Sequence, residues 1–156
     1  MTYHQKVQDF LAQRHIAVAG VSRNPEKGEA ANAILNKLKD QGYNVVAINP
    51  NADVVAGEPC YRHLRDVPEP LDGVVIVTTP AAADAIVQEC AELGIPRVWM
   101  HRSFGDGSVS ETAVAFCESH NISVISGGCP MMFCEPVDFP HKCIRWIKSA
   151  KGDFKH

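Results

Sequence analysis

No stretch of the 156 residues approaches the ~20 consecutive apolar positions that a membrane-spanning helix needs. Positive charge is also scarce: 15 Lys and Arg against 18 Asp and Glu give a formal net charge of -3. That excludes a general electrostatic pull toward nucleic acid or an anionic membrane, so any anion site must be local. The G-x-x-x-x-G-K-[ST] phosphate loop is absent, and with it the lysine and magnesium-binding hydroxyl of that ATPase class. None of the six cysteines forms the C-x2-C pair common in zinc sites. The opening MTYHQKVQDFLAQRH is polar and amphipathic, unlike a secretory signal, which leads us to expect a cytoplasmic protein with reduced thiols.

What is present is an alternation of short apolar runs with helical patterns. Val7, Phe10 and Leu11 share one helical face, and IAVAG (16–20) follows as a strand apolar on both faces. From 29 to 41, Ala31, Ile34, Leu35 and Leu38 keep the spacing of an amphipathic helix that Gly42 stops. Further strands are read at 43–50, 72–80, 96–101 and 121–126. Helices are read at 81–93, with Ile86, Cys90 and Leu93 on one face, and at 109–120. Residues 51–71 form the longest irregular segment, with one helical turn at HLRDV. Near-helical spacing of Phe139, Cys143, Ile144 and Ile147 predicts a closing helix over 140–150 with Arg145 and Lys148 outward and a fraying KGDFKH tail. The order predicts an α/β, Rossmann-like, three-layer fold in one domain, with a mostly parallel sheet of about five strands.

In such a sheet ligands lie at the carboxyl ends of the strands, where Gly20, Asn49, Thr79 and His101 fall. The stretch AVAGVSRNPEKG (17–28) reads as a strand end, a glycine turn and a polar loop opening a helix. A helix amino terminus with glycine neighbours favours phosphate, and Arg23 and Lys27 add mobile positive charge. The loop lacks G-x-G-x-x-G, and Asn49 stands where an NAD-binding domain carries a ribose-binding carboxylate, which disfavours NAD. Arg23 keeps an NADP-type switch as an alternative.

Four strand ends together, GVSRNPEKG, AINPN, VIVTTPAAA and VWMH, resemble the stand-alone CoA-binding proteins, relatives of the amino-terminal domain of the succinyl-CoA synthetase alpha chain. The resemblance runs through nearly the whole chain. It implies a Rossmann-like domain that binds coenzyme A or an acyl-CoA. Gly20, Val21, Ser22, Arg23, Lys27 and Gly28 would cradle phosphates, Asn49 and Pro50 would line the adenosine end, and Thr78, Thr79 and Pro80 would lie beside the diphosphate or pantetheine, with His101 at the end of the fourth strand. The chain departs from the family pattern at His101, where a glutamine is typical, and at 127–141, where a D-R-C segment is typical. The synthetase's second domain, which carries its phosphorylated histidine, has no counterpart in these residues.

Other groups carry weaker signals. Cys129, Cys134, His141 and Cys143 have metal-binding atoms at the uncommon spacing C-x4-C-x6-H-x-C, for which buried or incidental thiols are the simpler reading. Cys129 alone faces the ligand edge, where a thiolate could exchange with the CoA sulfur, against the plain alternative of an inert apolar filler. His101 could act as acid or base beside a thioester, or be a hydrogen-bonded structural histidine. Met131, Met132 and Phe133 suit an acyl pocket or an ordinary core equally. No exposed apolar stripe is evident to fix an oligomeric state, so a homodimer and a partner enzyme chain both stay open. The expectation is a CoA-binding module without a catalytic constellation; the alternatives are a subunit of an acyl-CoA-processing enzyme and the nucleotide switch.

Overall fold

The computed structural model describes residues 1–55, 57–102, 107–137 and 139–154. Helix α1 (Tyr3–Leu11) precedes β1 (His15–Ala19), α2 (Pro25–Asp40) and β2 (Asn44–Ile48). Two short strands follow, β3 (Val54–Val55) and β4 (Glu58–Tyr61), and then a 3-10 turn at Leu64–Asp66. The remainder is β5 (Gly73–Ile76), α3 (Pro80–Leu93), β6 (Arg97–Met100), α4 (Glu111–Ser119), β7 (Ser123–Ser126), a 3-10 turn at Pro130–Met132 and α5 (Phe139–Lys151). The sheet has seven strands in the order β3-β4-β2-β1-β5-β6-β7, parallel except for the β3–β4 pair.

The five strands expected from apolar runs are all present, within a few residues of their expected ends. The two extra strands lie in the segment taken as irregular. Both are short, and Glu58 and Pro59 are exposed, so neither carries the apolar run that marks a buried strand. The helical turn expected at HLRDV is there at Leu64–Asp66.

Successive side chains of the central strands alternate between two cores, which makes the fold three-layered. Ile16, Val18, Val75 and Trp99 pack with Val7 and Phe10 of α1 and with Ala31, Ile34 and Leu38 of α2. Ala17, Ala19, Val74, Ile76 and Met100 pack on the opposite face with Ala83, Val87 and Cys90 of α3 and Ala113 and Cys117 of α4. The buried face of α3 therefore runs through Ala83, Val87 and Cys90, with Ile86 partly buried and Leu93 45% exposed, which corrects the expected face. Small residues let α3 approach the sheet, and Leu93 sits at the end of the helix beside its left-handed cap Gly94.

Helix α5 is turned from the expected orientation: Ile144 packs partly buried against the core as expected, but the rest of the described apolar face does not. Lys148 is buried and Arg145 half-buried, whereas Cys143, Trp146 and Ile147 are exposed. Lys148 is held by the exposed Asp153 at 3.5 Å, and Arg145 donates from Nη1 to Met132 O at 2.9 Å, so both cations have polar partners. The side chain of Phe139 and the last two tail residues lie outside the described residues.

Cys143 is the one exposed thiol of six; the other five are buried. Burial pushes Cys117 up to about 12 and Cys134 to about 11, and raises Cys90 further. A thiol titration with an aromatic disulfide reagent is thus expected to consume one thiol rapidly in the folded protein and the other five only on unfolding. Rapid reaction of two or more thiols would contradict this burial.

Candidate functional site

The strand order places β2 on one side of β1 and β5 on the other, so the chain reverses direction between β1 and β5. A crevice opens outside the carboxyl ends at such a point. Gly20 lies in it, at φ +107°, with its backbone so close that an added Cβ would sit 2.0 Å from Val77 O. Only glycine fits both the conformation and the approach.

From Gly20 the loop is tied down by amides. Ser22 N donates to Asn32 Oδ1 (3.1 Å), and Asn32 Nδ2 donates back to Ser22 O (2.9 Å). Asn49 Nδ2 donates to Val21 O (2.8 Å), while Asn49 Oδ1 accepts from Asn51 N (2.8 Å), so the ends of β1 and β2 are bracketed by one side chain. Helix α2 starts earlier than its apolar rhythm predicts, because Asn24 caps it by accepting from Glu26 N and Pro25 supplies a helical φ. The chain kinks at Gly28 (φ -117°, ψ 18°), and the regular part of α2 begins where the rhythm does. A Cβ on Gly28 would meet Ser22 Cβ at 2.6 Å and Ser22 N at 2.7 Å, so this glycine lets the kinked turn fold back on the loop.

These ends line a cavity of about 450 Å³. Its floor is Ala19, Gly20, Val21 and Ser22, with Ile48, Asn49 and Pro50 on one side and Thr78 on the other. Arg62, His63 and Leu64 after β4 close one wall, and Ala82, Ala85, Ile86 and Glu89 of α3 the opposite one. Lys27 stands at its edge with no carboxylate partner among the described residues. Arg62 grips Asp53 through Nε (2.9 Å) and Nη2 (3.2 Å), and this, with Arg23 nearby, holds the Asp53 carboxyl below its ordinary range. Glu89, the carboxylate in the wall, accepts from Arg65 N and Nε, so its charge is compensated.

A second cavity of about 460 Å³ adjoins the first at Lys27. Glu26, Glu29, Ala30 and Ala33 of α2 face His101, Cys129, Met131 and His141 across it. The loop bearing Cys129 is fixed from below, as Trp99 Nε1 and Tyr3 Oη both donate to Gly127 O (3.1 and 3.0 Å). Burial, with smaller contributions from His141 and Lys148, pushes His101 down to about 4. Its folded value lies below the ~6.5 of an unfolded histidine. Stability from this group is therefore full above pH ~6.5 and is lost as pH falls toward 4, because the unfolded chain takes up a proton that the folded one refuses. His101→Gln is expected to flatten the fall in melting temperature between pH 7 and 4.5; parallel curves for the two proteins would contradict a neutral, partly buried His101.

The site residues expected from sequence divide accordingly. Gly20, Val21, Ser22, Lys27, Asn49, Pro50 and Thr78 line the first cavity, and His101 lines the second. Thr79 and Pro80 start α3, where the Thr79 hydroxyl accepts from Ala82 N. Gly28 acts on the loop from behind, and exposed Arg23 lies near Asp53 outside the lining. Met131 lines the second cavity, Met132 is fully buried in the core, and Phe133 packs partly buried against it. Among the described residues no three His, Cys, Asp or Glu side chains are grouped to hold a metal ion.

A family profile described as a CoA binding domain matches residues 14–135. The chain belongs to the CoA-binding domain family. An ADP-forming acetate–CoA ligase of Methanocaldococcus jannaschii is 27% identical over 120 residues, 74% of this chain but 17% of the ligase. The chain thus spans less than a fifth of the curated ligase it matches. Among solved structures, a conserved hypothetical protein from Pyrococcus furiosus is 34% identical with a TM-score of 0.63, covering 74% of this chain and 94% of its own. A hypothetical protein from Pyrococcus horikoshii OT3, 23% identical, superposes with a TM-score of 0.77 over 88% of this chain and 92% of its own, and shares the fold.

For this CoA-binding domain, the wall residues missed by sequence reasoning are Arg62, His63 and Leu64, together with the outer turn of α3. The signal for Arg62 was its place at the carboxyl end of a strand, and that strand was too short to read. No helix among the described residues is long and apolar enough to cross a membrane.

Proposed function

We propose that this chain binds coenzyme A or an acyl-CoA along the carboxyl edge of its sheet. The phosphates rest on the loop from Gly20 to Ser22 and on Lys27, and Arg62 and Arg23 offer charge to the 3'-phosphate. The adenosine lies toward Asn49, Pro50 and Leu64. The pantetheine arm passes Thr78 toward the cavity that holds His101 and Cys129. Arg23, Gly28, Thr79 and Pro80 serve this site by charge or by shaping its loops.

The observation that carries this reading is the junction at Lys27, a cation with no ion-pair partner among the described residues, shared by two adjoining cavities at the reversal point of a CoA-binding family fold. A long, bent ligand with phosphates in its middle suits that arrangement. The fit is also chemical, since the wall carboxylate Glu89 is compensated by Arg65 while the cations Lys27 and Arg62 line the cavity. The CoA-ligase relatives favour a second role, in which the domain presents CoA to a partner enzyme chain.

Thermal melting tests the reading. CoA at about 100 times its dissociation constant stabilises the folded state by about 2.7 kcal/mol, which for a chain of this size raises the midpoint by about 5–10 °C. ATP and NAD at the same concentration are expected to shift it by less than about 2 °C. Equal shifts for all three ligands would overturn the assignment.

A further inference from the structure

Helix α3 turns Ala83, Val87 and Cys90 into the core and presents Ala82, Ala85, Ile86 and Glu89 to the cavity above the β1 loop. The spacing 82, 85, 86, 89 is that of a single helical face. Glu89 is the one charged residue on an otherwise apolar wall, and its side chain is only 12% accessible. A carboxylate so placed needs polar partners. Arg65 supplies them to one oxygen: its backbone N (2.9 Å) and its Nε (3.3 Å) both donate to Glu89 Oε1. Glu89 Oε2 accepts no hydrogen bond among the described residues, and it is not sealed inside the protein, since no buried side-chain oxygen there lacks a partner. Solvent can reach that oxygen until a ligand fills the cavity. The ligand must then donate a hydrogen bond of its own or leave an ionised oxygen unpaired.

We propose that Glu89 Oε2 accepts from the exocyclic amine of the ligand's adenine, so that Glu89 selects a 6-aminopurine base at this site. The inference rests on the binding of CoA along the sheet edge proposed above. Phosphates only accept hydrogen bonds and share the sign of the carboxylate, so they belong with Lys27 rather than with this wall. Among the donors of the adenosine half, the amine is the one carried on a flat, largely apolar ring. The neighbours of Glu89 suit the faces of such a ring. Leu64 immediately precedes Arg65 on the turn that Glu89 holds, and Ile86 lies three residues before Glu89 on the same face of α3; both line the cavity. A ribose hydroxyl at Oε2 would instead set a polar sugar against these two side chains. An apolar slot with a single oriented acceptor at its edge is how small-ligand sites fix orientation and identity. Arg65 is then a positioning residue, holding the carboxylate through Oε1 and leaving Oε2 for the base.

Calorimetric titration with CoA and with the analogue whose base is unsubstituted purine, a hydrogen in place of the amine, tests the assignment. The parent protein is expected to bind CoA at least about 10-fold more tightly than the purine analogue, the loss of a hydrogen bond to a charged acceptor. In Glu89→Ala the acceptor is gone, and the two ligands are expected to bind within about threefold of each other. Glu89→Met, which keeps the length of the side chain without its oxygens, is expected to level the two ligands in the same way and guards against a fold weakened by truncation. A merely structural Glu89 would lower both affinities together and leave their ratio as in the parent. A parent protein that binds CoA and the purine analogue equally, or variants that keep the parent's preference for the amine, would overturn the role of Glu89 while leaving CoA binding intact. A parent protein that binds neither ligand would overturn the CoA reading itself, and this inference with it.

Discussion

Gly20→Ala is expected to lower the melting temperature by about 10 °C or more and to remove CoA binding altogether. Two costs act together there. The residue sits at φ +107°, where an L side chain is strained, and the added carbon would stand 2.0 Å from Val77 O, a backbone atom that cannot rotate away. Relief requires β1 and β5 to part at their carboxyl ends, which is where the proposed phosphate cradle lies. Gly28→Ala makes an informative contrast. At φ -117° alanine is unstrained, and the clash is with the Ser22 side chain and amide, so the loop shifts while the sheet stays closed. That variant is expected to fold, to lose about 1–3 kcal/mol, and to bind CoA at least about tenfold more weakly, because Ser22 moves. Calorimetric melting and ligand titration of both proteins check the pair. A Gly28→Ala protein with full CoA affinity would show that the loop conformation is not what holds the ligand.

Removing the cations separates charge from shape. Lys27→Ala combined with Arg62→Ala is expected to weaken CoA about 100-fold or more, as each charge-assisted contact contributes roughly 1.5–3 kcal/mol. The melting temperature is expected to change little, because Lys27 has no ion-pair partner among the described residues and the Arg62–Asp53 pair is exposed on both sides. Arg62→Ala alone should cost more against CoA than against dephospho-CoA, whereas Lys27→Ala should cost both alike. The remaining affinity is expected to depend less steeply on salt than that of the parent protein. A double variant that binds CoA as tightly as the parent would remove these cations from the account.

The sequence made the layered core legible because its strands are apolar on both faces and its helices keep a regular rhythm. Ile16 and Val18 against Ala17 and Ala19 already contain the two cores. The loop glycines were legible as well, and the structure adds a demand that the sequence does not show: both make room for the chain's own atoms, Val77 O for Gly20 and Ser22 for Gly28. Arg62 was hidden because β4 pairs through only two residues with β2, so it never needed the apolar run that announces a strand. Helix α5 was misjudged for a different reason. Periodicity shows that a helix has two faces but not which one turns inward, and here two polar partners, the buried Met132 O and the exposed Asp153, hold the cationic face.

Calorimetric titration of the reduced protein with CoA, dephospho-CoA and NADP under one set of conditions tests CoA binding at the sheet edge. Saturable binding of one CoA per chain, a clear loss of affinity without the 3'-phosphate, and weaker binding of NADP are expected. Absence of CoA binding, or NADP binding more tightly than CoA, would contradict that assignment.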